Sequence, residues 1–249
     1  MICKLCLEEK KLLKKSHIIP EFLYQEMFDE NHQIYKVPIN DTSKARKQFT
    51  GEYEKDILCF DCDSTKIGTL EDYASKVLYG GRISEKDQPR FTNYENEHGF
   101  VHTLIQNIKY REFKLFLLSI LWRASISSRE FFKHVDLGEH EEVLRSMIYE
   151  GDPKDSQDYP CVLVTLRNDL EYSKGIHVQP IQKIENSGII VPFVIGGTIY
   201  NFFIPKFSGP IGLDGFYIHT SDEMKILHTP KGSGEELIKL MVGIPSALS

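Results

Sequence analysis

Two cysteine pairs, Cys3-Lys4-Leu5-Cys6 and Cys59-Phe60-Asp61-Cys62, constrain this chain more than any other feature. Each C-x-x-C closes a tight knuckle that turns both sulfurs inward, so two knuckles together offer four thiolates to one ion. That donor set at that spacing is what a tetrahedral structural zinc requires. Its binding free energy, roughly 10–16 kcal/mol in small zinc peptides, becomes folding free energy. Residues 7–58 must then fold back as a loop clamped at both ends. Within the loop lies Ser16-His17-Ile18-Ile19-Pro20, which sets one titratable imidazole among apolar neighbours.

The 249 residues suffice for one large domain or two small ones. A hydrophobic content of 41% and a charged content of 27% are those of an ordinary globular protein. No stretch reaches the ~20 apolar residues of a membrane span, because Lys114 interrupts the run from Phe113 to Ile120 and Arg123 closes it. No membrane partner is expected. Met1-Ile2-Cys3 puts a candidate zinc ligand at position 3, so no cleavable leader is expected. Five cysteines, four of them in metal-type pairs, point to a reducing cytoplasm rather than a disulfide framework. Cys161 opens an apolar run and reads as an inert buried thiol.

A net charge of −6 does not advertise a nucleic-acid binder. Basic residues are nevertheless concentrated locally: Lys10, Lys11, Lys14 and Lys15 precede Ser16-His17, and Lys44, Arg46 and Lys47 lie in the same loop. Lys14, Lys15, Lys44 and Lys47 are therefore the candidates for phosphate contacts, against the alternative of an ordinary solvated turn.

The patterning predicts an α+β chain in two units, a zinc module over residues 1–90 and a helical plus antiparallel-sheet unit over 91–249. In the first, a helix is expected after Pro20, a strand over 33–37, and a second helix from Cys62 to Gly80-Gly81. Residues 82–110 read as a connecting segment. Phe113, Phe116, Leu117, Ile120, Leu121 and Ala124 form one apolar helical stripe, and a shorter helix follows over 139–149. Strands are expected over 161–166, 175–184, 188–194 and 198–204. Turns at Asn186-Ser187-Gly188 and Ile195-Gly196-Gly197 make 160–205 an antiparallel meander. Edge strands at 216–218 and 224–227 and a closing helix from Glu235 to Val242 complete the reading.

Two knuckles, the second at a helix N-terminus and a hairpin between them, make the treble-clef arrangement. With Ser16-His17-Ile18-Ile19-Pro20 and Leu58-Cys59-Phe60-Asp61-Cys62-Asp63-Ser64-Thr65-Lys66, about the first 75 residues resemble the HNH family of metal-dependent nucleases. The resemblance implies that His17 is the general base, with a divalent cation such as Mg²⁺ beside it to hold charge on the scissile phosphate. Asp63 stands where the family has a metal-binding histidine, and a carboxylate is a good hard ligand. Asp63 would also suit a helix N-cap. Ser16 stands where many members have a metal-binding aspartate. The family's central asparagine has no clear counterpart beyond Asn40, with Glu52, Glu54 and Asp56 as substitute carboxylates. Glu71 and Asp72 read as surface charges. Gly99 breaks the spacing that would make Glu97-His98 and His102 a metal set, and Trp122-Arg123 reads as core rather than a base-stacking platform.

The resulting expectation is a zinc-stabilised, metal-dependent DNA endonuclease of the kind found in bacterial defence or mobile elements. The alternatives are a non-catalytic zinc module that recognises nucleic acid or a protein partner, and a ligand-sensing regulator whose C-terminal sheet binds the signal. A carboxylate beside His17 favours the first. A polar pocket among strands 160–227 favours the third.

Overall fold

The computed structural model describes residues 1–38, 44–97, 99–166, 175–185, 188–204, 215–234 and 236–237. The expected turn at 186–187 and most of the expected helix over 235–242 lie outside them.

Four short strands come first: β1 (Ser16–His17), β2 (Ile34–Val37), β3 (Arg46–Gln48) and β4 (Tyr53–Glu54). β1 pairs antiparallel with β4, placing His17 opposite Tyr53. Where a helix was expected after Pro20 there is a single 3-10 turn, Glu21–Tyr24, which buries Leu23 and Tyr24. A π-helical turn, Asp61–Ile67, follows the second knuckle and continues as α1 (Gly68–Tyr79), which ends where Gly80 takes a positive φ.

Residues 82–110 are not a plain connection. They hold β5 (Arg90–Glu95) and β6 (Val101–Gln106), an antiparallel pair. All six residues of β5 are exposed, so the strand lacks the alternation that marks a half-buried one. α2 (Tyr110–Ser125) and α3 (His140–Glu150) follow as expected, α2 burying nearly its whole length. Then come β7 (Cys161–Thr165), β8 (Ile176–Val178), β9 (Lys183–Glu185), β10 (Gly188–Ile195), β11 (Thr198–Ile204) and β12 (Glu223–His228).

Apart from β1 and β4, the strands form one ten-stranded sheet in the order β3-β2-β8-β10-β11-β7-β12-β6-β5, with β9 on β10. It is mixed rather than a meander. β10 and β11 make the expected hairpin, but β7 pairs with β11, and both β12–β7 and β2–β8 run parallel. β12 is central, between β7 and β6, not an edge. The expected strand over 216–218 does not form, and the nearest pairing is an isolated bridge from His219 to Glu223.

Packing runs across residue 90. One hydrophobic cluster joins Cys3, Leu5 and Leu58 of the knuckles to Phe113, Phe116 and Trp122 of α2 and to Leu163, Phe202 and Met224 of the sheet. Among the described residues no helix is long and apolar enough to cross a membrane.

Candidate functional site

The knuckles meet as their sequence demands. Lys4 N donates to Ile57 O and Leu13 N to Leu58 O, both at 2.9 Å, which lays the first cysteine segment against the second. The ligand atoms of Cys3, Cys6, Cys59 and Cys62 all lie within 4.8 Å of one another. Four thiolates this close repel without a cation. Burial and the neighbouring thiols push Cys62 far above the ordinary thiol range. Burial also works against the Cys3 thiolate, yet backbone amides of Cys6, Cys59 and Leu5 bring it down to about 7. A divalent ion resolves that conflict by holding all four sulfurs deprotonated, so the donor set fits zinc.

The second cluster surrounds His17. β1 delivers its imidazole, and Pro20 ends the extended run so that the following 3-10 turn brings Glu21 back towards it. His17 Nε2 and Glu21 Oε2 lie 2.5 Å apart, without aligned hydrogen-bond geometry. The imidazole keeps 26% of its side-chain surface exposed. Burial is the largest influence on its pKa and lowers it. Glu21 pulls the other way, while Lys15 and Arg123 reinforce the lowering. The net effect is a pKa below the ordinary imidazole value, which favours the neutral form at pH 7.

Asp63 comes from the π turn and faces the same imidazole. Burial raises its pKa, against the guanidinium of Arg123, the hydroxyl of Ser16 and His17 itself. Ser16 Oγ is fully buried with no partner at hydrogen-bond geometry, so its effect on Asp63 is one of proximity. Asp63 does not cap the helix: it sits inside the turn, whose start at Phe60 has no side-chain cap.

Arg123 is the residue that binds these parts together. It stands on α2 in an otherwise apolar run, only 1% exposed. Its Nη1 donates to His17 O at 2.7 Å and its Nε to Ser119 O at 3.1 Å. Nη2 lies 2.7 Å from Glu71 Oε1. Glu71, expected on the surface, is thus half buried, and burial raises its carboxyl against the opposing guanidinium. The sequence signal was available: a charge within a continuous apolar helix needs a buried partner. Asp72, by contrast, is exposed and pairs with Lys76 at 2.5 Å.

The substitute carboxylates go elsewhere. Glu52 is buried against Lys36 at 2.6 Å, with Arg129 at 3.7 Å. Glu54 accepts from Ser127 Oγ at 2.6 Å, and Asp56 meets Lys14 at 3.4 Å. Asn40 and His98 lie outside the described residues. His102 stacks on Tyr94 on the far strands of the sheet, 5.3 Å between centroids.

The basic candidates separate. Lys15 lies 5.0 Å from the Tyr53 ring centroid, and Arg129, unforeseen in the sequence, lies 5.7 Å from the same ring. The Tyr53 ring in turn stands edge-on to His17 at 6.5 Å. Lys14 is 81% exposed beside Asp56. Lys47 lies on β3 over Tyr35 at 5.5 Å, and Lys44 is exposed just ahead of β3, so these two belong to the large sheet's edge.

Among the described residues the four cysteines are the only group of three or more metal-type ligands gathered within such distances. Glu21 is turned to His17 and Glu71 to Arg123, which leaves Asp63 a single carboxylate beside a guanidinium. These residues do not fit a preformed magnesium site.

No family model matches the chain, and neither does any curated protein or solved structure.

Proposed function

We propose that residues 1 to about 75 form an HNH-like treble clef, and that the chain is an endonuclease hydrolysing phosphodiester bonds in DNA with His17 as general base. The observation that carries the reading is a neutral, partly exposed imidazole held against Glu21 beside Asp63. With Nε2 turned to Glu21, Nδ1 is the ring nitrogen left to take a proton, and Glu21 stabilises the imidazolium that forms. The water oxygen forms a bond to phosphorus as its proton passes to Nδ1. The P–O bond to the leaving oxygen breaks, and that oxygen takes a proton from solvent. Lys15 and Arg129, gathered on Tyr53 and less buried than Arg123, are the cations offered to the phosphate. No step is assigned to magnesium. The four cysteines hold zinc as a structural ion outside the chemistry.

The test is cleavage of supercoiled plasmid by wild type and His17→Ala, in magnesium, in manganese and in EDTA. His17→Ala is expected to lose roughly 10²–10⁴ in rate, the usual worth of a general base, with zinc content and melting temperature unchanged. A wild-type protein that cuts neither DNA nor RNA under any of these conditions sinks the reading and leaves a non-catalytic zinc module.

A further inference from the structure

A second site lies on the sheet, away from the β1–β4 pair. On the face that shares a core with α1 and α2, the strands change character together along their length. β7 runs Cys161, Leu163, Thr165; β11, antiparallel to it, runs Phe202, Tyr200, Thr198; β12 runs Met224, Ile226, His228. In each, two apolar residues give way to a polar one, and the register aligns the three polar ends: Thr198 opposite Thr165, and Thr165 opposite His228. On β6 and β5, Thr103 stands opposite Asn93, one same-face step from the row because Val101 is the direct partner of His228. These polar ends line a cavity of about 570 Å³, walled by the last residues of α1 and by Glu26. That volume is within the ~300–1,000 Å³ usual for small-molecule sites.

The row is not simply the solvated end of the sheet. Thr103 is 8% exposed, and its hydroxyl lies 2.6 Å from Asn93 Oδ1 and 2.7 Å from His228 Nε2. A hydroxyl has one proton, so it donates to one neighbour and accepts from the other, which orients both groups. The hydroxyls of Thr165 and Thr198 have no partner among the described residues. At the rim stand two aromatic rings, Phe91, 55% exposed, and Tyr79, 43% exposed. Phe91 stacks on no other ring among the described residues.

The charge pattern narrows the ligand. Among the described residues no lysine or arginine lines the cavity, and Glu26 contributes the one carboxylate. An anion is therefore repelled. What fits is a flat ring that can lie on an aromatic face while its edge and attached hydroxyls meet an ordered row of neutral donors and acceptors. We propose that this cavity binds an uncharged nucleoside, with the base stacked on Phe91 and its polar edge on the Asn93–Thr103–His228 chain. The nuclease reading is not required for it.

Calorimetric titration of the full chain with adenosine, guanosine, cytidine and uridine tests this, with AMP and glucose as controls. At least one nucleoside is expected to bind saturably. Phe91→Ala should weaken it at least tenfold at an unchanged melting temperature, and Thr103→Val should weaken it at least tenfold as well. The 5′-monophosphate should bind at least tenfold more weakly than its nucleoside, and Glu26→Gln should narrow that gap. His17→Ala should leave binding intact, so this site and the nuclease reading fail separately. Phe91 is largely exposed, so its truncation tests the site without threatening the fold. Absence of binding by all four nucleosides, binding indifferent to Phe91→Ala, or equal binding of monophosphate or glucose overturns the proposal.

Discussion

Arg123 carries more of the candidate site than any other single side chain. It holds the His17 carbonyl, pairs with Glu71, and supplies the positive charge that Asp63 and Glu71 share. Replacing it with methionine keeps much of its volume but leaves two half-buried carboxylates without a cation. Breaking a buried pair in this way costs on the order of 3–5 kcal/mol. The pH dependence follows from the sign of the shifts. Burial already raises both carboxyl pKa values, and removing Arg123 raises them further. A carboxyl whose folded pKa exceeds its unfolded value destabilises the fold increasingly as pH rises, and the penalty fades as pH falls through the folded pKa. Denaturant melts of Arg123→Met should therefore show a deficit at pH 7 that has narrowed by about pH 4, the ordinary carboxyl range. An equal deficit at both pH values would mean that lost packing, not charge, explains the variant.

Between elements, the joint that ties the zinc region to the large sheet is the parallel pairing of β2 with β8, where Lys36 stands opposite His177. His177 is fully buried between Tyr24, whose hydroxyl lies 3.4 Å from Nδ1, and the ring of Phe131. Burial, with Lys36 adding to it, pushes its pKa down to about 3. Between about pH 6.5 and 3 the unfolded chain binds a proton there that the folded chain does not. Stability is thus lost as pH falls through that window, by up to about 1.4 kcal/mol per pH unit for one such group. Comparing wild type with His177→Gln by urea melts at pH 7, 6 and 5 checks this: the variant should lose part of the acid sensitivity, and identical slopes would dismiss the joint as its source. Joints of this kind were not legible in the sequence. The helical stripe of α2 was, because 3.6-residue periodicity is local, and so were the knuckles. β3 and β5 escaped because they are exposed and show no alternation, and β12 looked like an edge because its partners lie far away in sequence. Glu21 went unread as the partner of His17 because the chain between them is part strand and part 3-10 turn, where i,i+4 spacing promises no contact.

Taken whole, the molecule sets its candidate metal ligands within the main core rather than beside it. Cys3, Cys59 and Cys62 belong to the same apolar cluster as Trp122, the chain's one tryptophan, which lies on α2 and is 1% exposed. Glu54 adds a polar tie across the same boundary through Ser127 and Ser128. Zinc binding to the folded state alone adds RT ln(1 + [Zn]/Kd) to stability, about 4 kcal/mol at a thousandfold excess over Kd. In a chain whose zinc module stood apart, that term would be felt only by the module, and Trp122 would not report its loss. With a shared core, the same term applies to the cooperative unit as a whole. Chelating the metal should therefore lower the midpoint of one transition, seen alike by Trp122 emission and by far-ultraviolet circular dichroism. Cys59→Ser should reproduce the shift without chelator. If chelation instead melts part of the circular dichroism signal while Trp122 keeps its buried emission and its original midpoint, the zinc loop folds independently and the core is not one unit.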